Sequence, residues 1–403
     1  MDNLINQAAA LGEKISLMTQ GAAYNESDFS KIAFSELEKS NIKYDISGSE
    51  LLAYQLNDLS RLAHNKENFS DFPIILFKND DFIIQALHWY EASTSIHDHR
   101  FDGAFKVLKG SSIETTYDFN TSDDSSNRTQ SGTLVKRRIR HLQVGDTCEI
   151  NGGNRYIHSL FHIESPSITL IIRTHSKDSY PAQRDYHAPS LSSECFYQRA
   201  EANKLAGIIN SDAGRLFSFD KEFYHQLFDN IEKFQIIRLI PMLVKKNDNL
   251  IKEVLINKYG EHEAAEIAKV TELTHCRRQL NFLRKGITDY ESRLVIAVMI
   301  NSSTRVETVQ LLTEVLPNAV FEDEISKVVE YMVKHRWVPI TIEGDSIADI
   351  ITAAVSATTI DEYFSLLVED FGAEAVDTGR AMLEKAWHQL TTNKTISMLW
   401  ELK

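Results

Sequence analysis

The chain is poor in cysteine and in long apolar runs, and it carries no excess of positive charge. Its three cysteines, Cys148, Cys195 and Cys276, are scattered without a close pair. That spacing argues against a disulfide framework and against a zinc–thiolate site. No stretch reaches the roughly 20 consecutive apolar residues that a membrane-spanning helix needs. The start, MDNLINQAAALGEKISLM, has no basic segment ahead of an apolar one, so a secretory signal is not expected. These absences predict a reduced, cytoplasmic protein. The net charge is -14, from 43 Lys and Arg against 57 Asp and Glu. This disfavours broad binding to nucleic acid or to anionic membranes. Lys136, Arg137, Arg138 and Arg140 form a local basic run inside an acidic whole.

What is present is the composition of an ordinary globular protein, 43% hydrophobic and 25% charged. A length of 403 residues permits a large core, and two or more domains are the default expectation. Residues 1–70 read as helical, with apolar residues at helical spacing in NLINQAAALGEKISLM and SELLAYQLNDLSRLAHN. Residues 71–190 change character. PIILF, DFIIQALHWYEAS, GAFKVLKGSSIETTYDF, GTLVKRRIRHLQVG, DTCEIN, RYIHSLFHIE and SITLIIRTH are short runs rich in β-branched and aromatic residues. Glycines 110, 132, 145, 152 and 153 punctuate them. The polar segment 120–132 joins two of these runs and reads as a mobile hairpin tip.

Residues 191–403 read as an all-α domain. Thr304 with Glu307 and Thr359 with Glu362 fit capping boxes, and Gly260 and Gly372 fit helix stops. Pro189, Pro241, Pro317 and Pro339 break up the rest. FYHQLFDNIEKFQIIRLIPMLV is apolar on more than one side, as a buried central helix or a subunit interface would be. No phosphate-binding loop or catalytic motif stands out in this half.

The most informative residues are His97 and His99. Positions i and i+2 of a strand point the same way, so both imidazoles can face one side of a sheet. His158 lies on another strand-like run, and three neutral nitrogens around one point make a metal site. His162 is four residues further on and shares the parity of His158, so either can be the third ligand. His158 is the better placed by spacing, with His162 as an orienting partner. The plain alternative is a barrel that serves as a scaffold with no metal.

His97-Asp98-His99 followed by Gly110 resembles the first motif of the cupin superfamily, and Gly145 through His158 resembles the second. The resemblance covers residues 72–175. It implies an α+β chain whose centre is an antiparallel cupin-type β-barrel, with helices before it and a large helical domain after it. The place of the family's acidic ligand falls on Gly103 and Ala104, and Asn151-Gly152-Gly153 stands where Pro-x-Gly is usual. Lacking that carboxylate, the chain resembles three-histidine iron cupins such as cysteine dioxygenase and other thiol dioxygenases. The expected cofactor is Fe(II), with Ni, Mn and Zn as other divalent choices. The expected partners are a small-molecule substrate and O2, with no nucleic acid and no membrane. The resemblance leaves homodimerisation through a barrel edge open.

A neutral ligand set leaves the metal its full charge and leaves about three positions for substrate and O2. Such a metal binds an anionic thiolate or enolate well and lowers its pKa. Oxygen addition to a small anionic substrate, such as a thiol or amino-acid derivative, is the expected reaction. Arg173 is a candidate carboxylate clamp and Tyr117 a candidate donor to a metal-bound oxygen. Asp98 points away from the pair by parity, with Arg100 beside it. Asp102 is the one nearby carboxylate that can still reach the metal, given a bulge to aim it. Cys148 reads as a small buried hydrophobe. His141, His175 and His187 have no telling spacing. A cupin sensor or scaffold binding a ligand or partner, and a redox-neutral isomerase or lyase, are the competing functions.

Overall fold

Amphipathic periodicity becomes three N-terminal helices in the computed structural model: α1 (Asp2–Thr19), α2 (Phe29–Lys39) and α3 (Gly48–Leu56). The structure describes residues 1–20, 24–57, 70–90, 93–122, 128–194, 199–211, 220–338, 340 and 346–401. Most of the second half of SELLAYQLNDLSRLAHN, and Pro339 and Cys195, lie outside these residues. The strands are β1 (Phe72–Lys78), β2 (Phe82–Trp89), β3 (Ile96–His99), β4 (Gly103–Lys109), β5 (Ser112–Thr121), β6 (Thr129–Leu142), β7 (Thr147–Ile150), β8 (Gly153–His162), β9 (Ser167–Thr174), β10 (Arg184–His187) and β11 (Leu191–Glu194). Every pairing among them is antiparallel.

Two sheets result. One has the order β1-β2-β9-β4-β7. The other closes on itself as β10-β11-β6-β5-β8-β3. Strands β2 and β9 are buried along their whole length, so the open sheet is covered on both faces. One face packs Ile84, Ala86, Leu170 and Ile172 under Ala8, Ile15, Ala33 and Leu37 of α1 and α2. The other face packs Leu87, Trp89, Phe105 and Ile171 against Leu160 of the closed sheet. A third cluster, Ile96, Tyr117, Ile157 and Tyr186, fills the closed ring itself. Each Leu, Ile or Phe side chain among these contributes about 1.5–3 kcal/mol on burial.

Polar side chains lock these layers. Lys106, on the outer face of β4, donates its Nζ to the carbonyl oxygens of Leu37 (2.9 Å) and Ser40 (2.8 Å). It thereby neutralises the C-terminal end of α2, where unpaired carbonyls and the helix dipole favour a cation. Gly103 is required for the approach of β4 to β9, because a Cβ there would lie 2.1 Å from the carbonyl oxygen of Ile172.

The histidine pair lies on its own short strand, β3. Four expectations are corrected. Two short strands, β10 and β11, follow β9 and close the ring; their polar sequences, RDYH and LSSE, carry no alternating apolar signal. The described ends of the segment 120–132 belong to the ladder, with Asn120 opposite Thr133 and Thr121 opposite Gly132; residues 123–127 lie outside the described residues. FYHQLFDNIEKFQIIRLIPMLV is two helices, Lys221–Asn230 and Lys233–Tyr259, broken where the Glu232 N–H donates to Gln235 Oε1 (2.8 Å). The second of these runs through Pro241 instead of stopping there.

The chain divides into two compact units, Met1–Thr271 and Glu272–Lys403. In the second, the helix Tyr290–Asn301 is central, with Leu294 to Met299 all buried. Thr304 and Thr359 cap the helices Arg305–Val315 and Ile360–Phe371, each accepting from a backbone N–H of the expected Glu, and Gly260 and Gly372 end helices at positive φ. No helix among the described residues is long and apolar enough to cross a membrane. Because the Ile172 carbonyl belongs to the backbone and cannot swing aside, Gly103→Ala is expected to destabilise the first unit by about 1–3 kcal/mol. Urea unfolding followed by tryptophan fluorescence measures this.

Candidate metal centre

His97 and His158 are directly opposite each other on β3 and β8, and His99 lies on the same face beyond an irregularity in the ladder. Directly opposite residues have their Cβ atoms about 4.5–5.5 Å apart and share a face. The three ring centroids are 4.7, 4.9 and 5.1 Å apart. One nitrogen from each ring lies within 4.8 Å of the others, and all three residues are buried. Nε2 of His99 and Nε2 of His158 approach to 3.1 Å.

The hydrogen bonds assign the lone pairs. His97 Nδ1 is 2.8 Å from the carbonyl oxygen of Ser95, which can only accept, so Nδ1 carries the proton and Nε2 the lone pair. His158 Nδ1 faces Glu114 Oε1 at 3.4 Å, which assigns it the same tautomer. Burial, then the neighbouring His158, lowers the pKa of His97 to about 4. Burial, then His97, His158 and Arg173, holds His99 well below the usual histidine value. Both rings are therefore neutral at pH 7, the form that binds a metal. Three buried, converging imidazoles suit one divalent cation of the first transition row or zinc.

The walls around the histidines are apolar. Leu87, Trp89, Phe105, Ile150, Leu160 and Ile171 line a space of about 330 Å³ that includes its open mouth.

His162 is not part of the group. It is fully buried, its Nδ1 is 2.7 Å from Ser112 Oγ, and its ring stacks on Trp89 at 4.6 Å. It holds the wall behind the site. Tyr117 is also elsewhere. Thr116 is the residue opposite His158, so Tyr117, opposite Ile157, projects into the ring cluster on the other side of the sheet. Strand parity thus corrects its expected role to packing. Asp102 is a further correction: its carboxylate accepts from the Gly152 N–H (2.9 Å), Tyr180 Oη (2.7 Å) and Lys177 Nζ (3.0 Å), away from the histidines. Gly103 cannot carry a ligand for the steric reason above, and Ala104 faces α1 and α2. Asp98 lies opposite to the histidine face, as parity predicts. It is buried there, not solvated, and accepts from Tyr186 Oη (2.8 Å) and the Arg184 N–H (2.7 Å). Arg100 pairs with Asp178 instead. The Cys148 thiol is pushed up to about 12 by burial, so it is no nucleophile.

Arg173 is buried between the sheets, not exposed at a strand end. Its Nε donates to Gln85 Oε1 (3.1 Å), and its guanidinium lies 5.2 Å from the Phe101 ring centroid. The Phe101 ring in turn sits 4.7 Å from that of His99. Glu114 is the site residue that sequence reasoning missed. Its carboxylate is buried among His158, Tyr156 and Arg140. Its signal was parity alone: it shares the face of Thr116 on β5.

No protein-family model and no curated protein matches this chain. Among solved structures it is similar to a cupin superfamily protein from Desulfitobacterium hafniense DCB-2, at 15% identity over 28% of this chain and 87% of that one, with a TM-score of 0.18. It is similar to the DMSP lyase DddQ from Ruegeria pomeroyi DSS-3, at 12% identity over 45% of this chain and 96% of that one, TM-score 0.24. It is also similar to hydroquinone 1,2-dioxygenase from Sphingomonas sp. TTNP3, at 12% identity over 34% and 83%, TM-score 0.22. The cupin-type character of the barrel rests on its own strand pairing and its His-x-His strand.

Measured by elemental mass spectrometry on tag-free protein, His99→Ala is expected to lose bound metal, whereas Tyr117→Phe is expected to keep it. His162→Ala is expected to lower thermal stability with metal still bound, since it removes a stacked wall and not a ligand.

Proposed function

We propose that the chain is a mononuclear non-haem iron dioxygenase of the cupin type, acting on a small anionic substrate such as a thiol or an amino-acid derivative. The observation that carries this reading is the convergence of three buried imidazoles, two of them with Nδ1 committed to a carbonyl or carboxylate. His97, His99 and His158 are the proposed ligands. Bound Fe(II) would supply Lewis acidity toward an anionic donor and electrons for O2. The protein's own groups do the rest. Ser95 and Glu114 hold two rings with their lone pairs inward. The apolar walls exclude water and strengthen every charge interaction in the space between the sheets. Arg173 is the proposed partner of a substrate carboxylate, supported by its burial and by its position across the Phe101 ring from His99.

The test is anaerobic loading with Fe(II), followed by O2 electrode measurements with small thiols, amino-acid derivatives and aromatic enols. Substrate-dependent O2 uptake, absent from His99→Ala, is the expected result. Turnover with Zn, Ni or Mn in the absence of O2 would transfer the site to redox-neutral lyase or isomerase chemistry. A chain that takes up no metal would return the barrel to a scaffold or sensor role. Once a carboxylate-bearing substrate is found, Arg173→Met is expected to raise its KM by roughly 10- to 100-fold, the worth of a buried charge-assisted hydrogen bond.

A further inference from the structure

We propose that Glu114 is the positioning residue of this centre, fixing the tautomer of His158 and lending it negative charge, and that Arg140 and Tyr156 exist in part to hold Glu114. The inference rests on the reading that His158 is a metal ligand.

The sheet makes the arrangement. Glu114 on β5 is opposite Leu160 on β8 and Arg140 on β6. It is therefore a diagonal neighbour of His158 on the inner face, within reach of a long side chain. Its own side chain is fully buried. A buried carboxylate is costly unless its lone pairs are filled. Here they are. Oε1 faces His158 Nδ1 at 3.4 Å and accepts from Tyr156 Oη; Oε2 accepts from Arg140 Nε at 2.9 Å and from Arg140 Nη2. Tyr156 also braces the ligands, its ring centroid lying 4.5 Å from that of His158 and 6.1 Å from that of His99, nearly parallel to the latter.

A simple cross-strand ion pair between β5 and β6 would need none of this. Such a pair is found on exposed faces, and it gains little from burial. What singles out Glu114 is the oxygen turned to the imidazole. A carboxylate on the far nitrogen of a ligating histidine orients the ring and raises its basicity. It also places one negative charge next to a ligand set that has none, in a chain where Gly103 blocks a direct carboxylate ligand. Arg140 shares that carboxylate and so limits how much of its charge the imidazole receives.

The test uses the full chain labelled with 15N-histidine. In the metal-free wild type, long-range 1H–15N correlation spectra are expected to show His158 protonated at Nδ1. In Glu114→Gln the Nε2–H form is expected to appear as well. Co(II) titration against a competing chelator is expected to show about 10- to 100-fold weaker binding in Glu114→Gln, with a shifted visible absorption band. Tyr156→Phe, which keeps the carboxylate, is expected to change affinity far less. An Nε2–H tautomer in the wild type overturns the proposal without recourse to any variant. So does wild-type Co(II) affinity and spectrum in Glu114→Gln. A wild-type chain with the expected tautomer that binds no Co(II) instead overturns the metal reading, and leaves Glu114 as the partner of His158 alone.

Discussion

The pairing of His97 with His158 across β3 and β8 is the interaction on which the rest depends. It places two imidazoles from distant parts of the chain side by side on the one face of the closed sheet that another sheet covers. Burial then has two consequences that act together. It removes water, which penalises protonation and keeps His97 and His99 neutral. It also makes an unpaired polar atom costly, and the outer nitrogens of His97 and His158 face the carbonyl of Ser95 and the carboxylate of Glu114.

The layers around this pair are held by apolar packing on both faces of β2 and β9 and by a few buried polar ties. Lys106 fastens α2 over β4 at one side, and Asp102 gathers Gly152, Lys177 and Tyr180 at another. Asp102, just ahead of β4, and Glu114, on β5, illustrate how two buried acidic residues acquire different duties. The first organises loops at the end of the sheet. The second faces inward and meets an imidazole.

Much of the barrel was legible because strands covered on both faces read as short, near-continuous runs of β-branched and aromatic residues. FIIQALHW, GAFKVLK and SITLIIRT became β2, β4 and β9 with little change. RDYH and LSSE could not be read, since β10 and β11 are short and owe their strand state to neighbours on either side. Tyr117 was misplaced by a single residue of parity, the step that moves a side chain from one face to the other. His162 has the parity of His158 but lies four residues along the strand, too far to join the cluster, and Trp89 stacks on it instead.

By itself the sequence determined the strand-rich centre between helical flanks, the shared face of His97 and His99, and the caps of the later helices. These are local matters, set by periodicity and by side chains that bond within a few residues. The tertiary structure alone decided that His158 completes the group, that no carboxylate can enter from position 103, and that Glu114 and Arg173 are buried near it. Those outcomes depend on which strands become neighbours and how closely they approach. Ladder register and the Ile172 carbonyl against Gly103 settle them, and no local pattern encodes either.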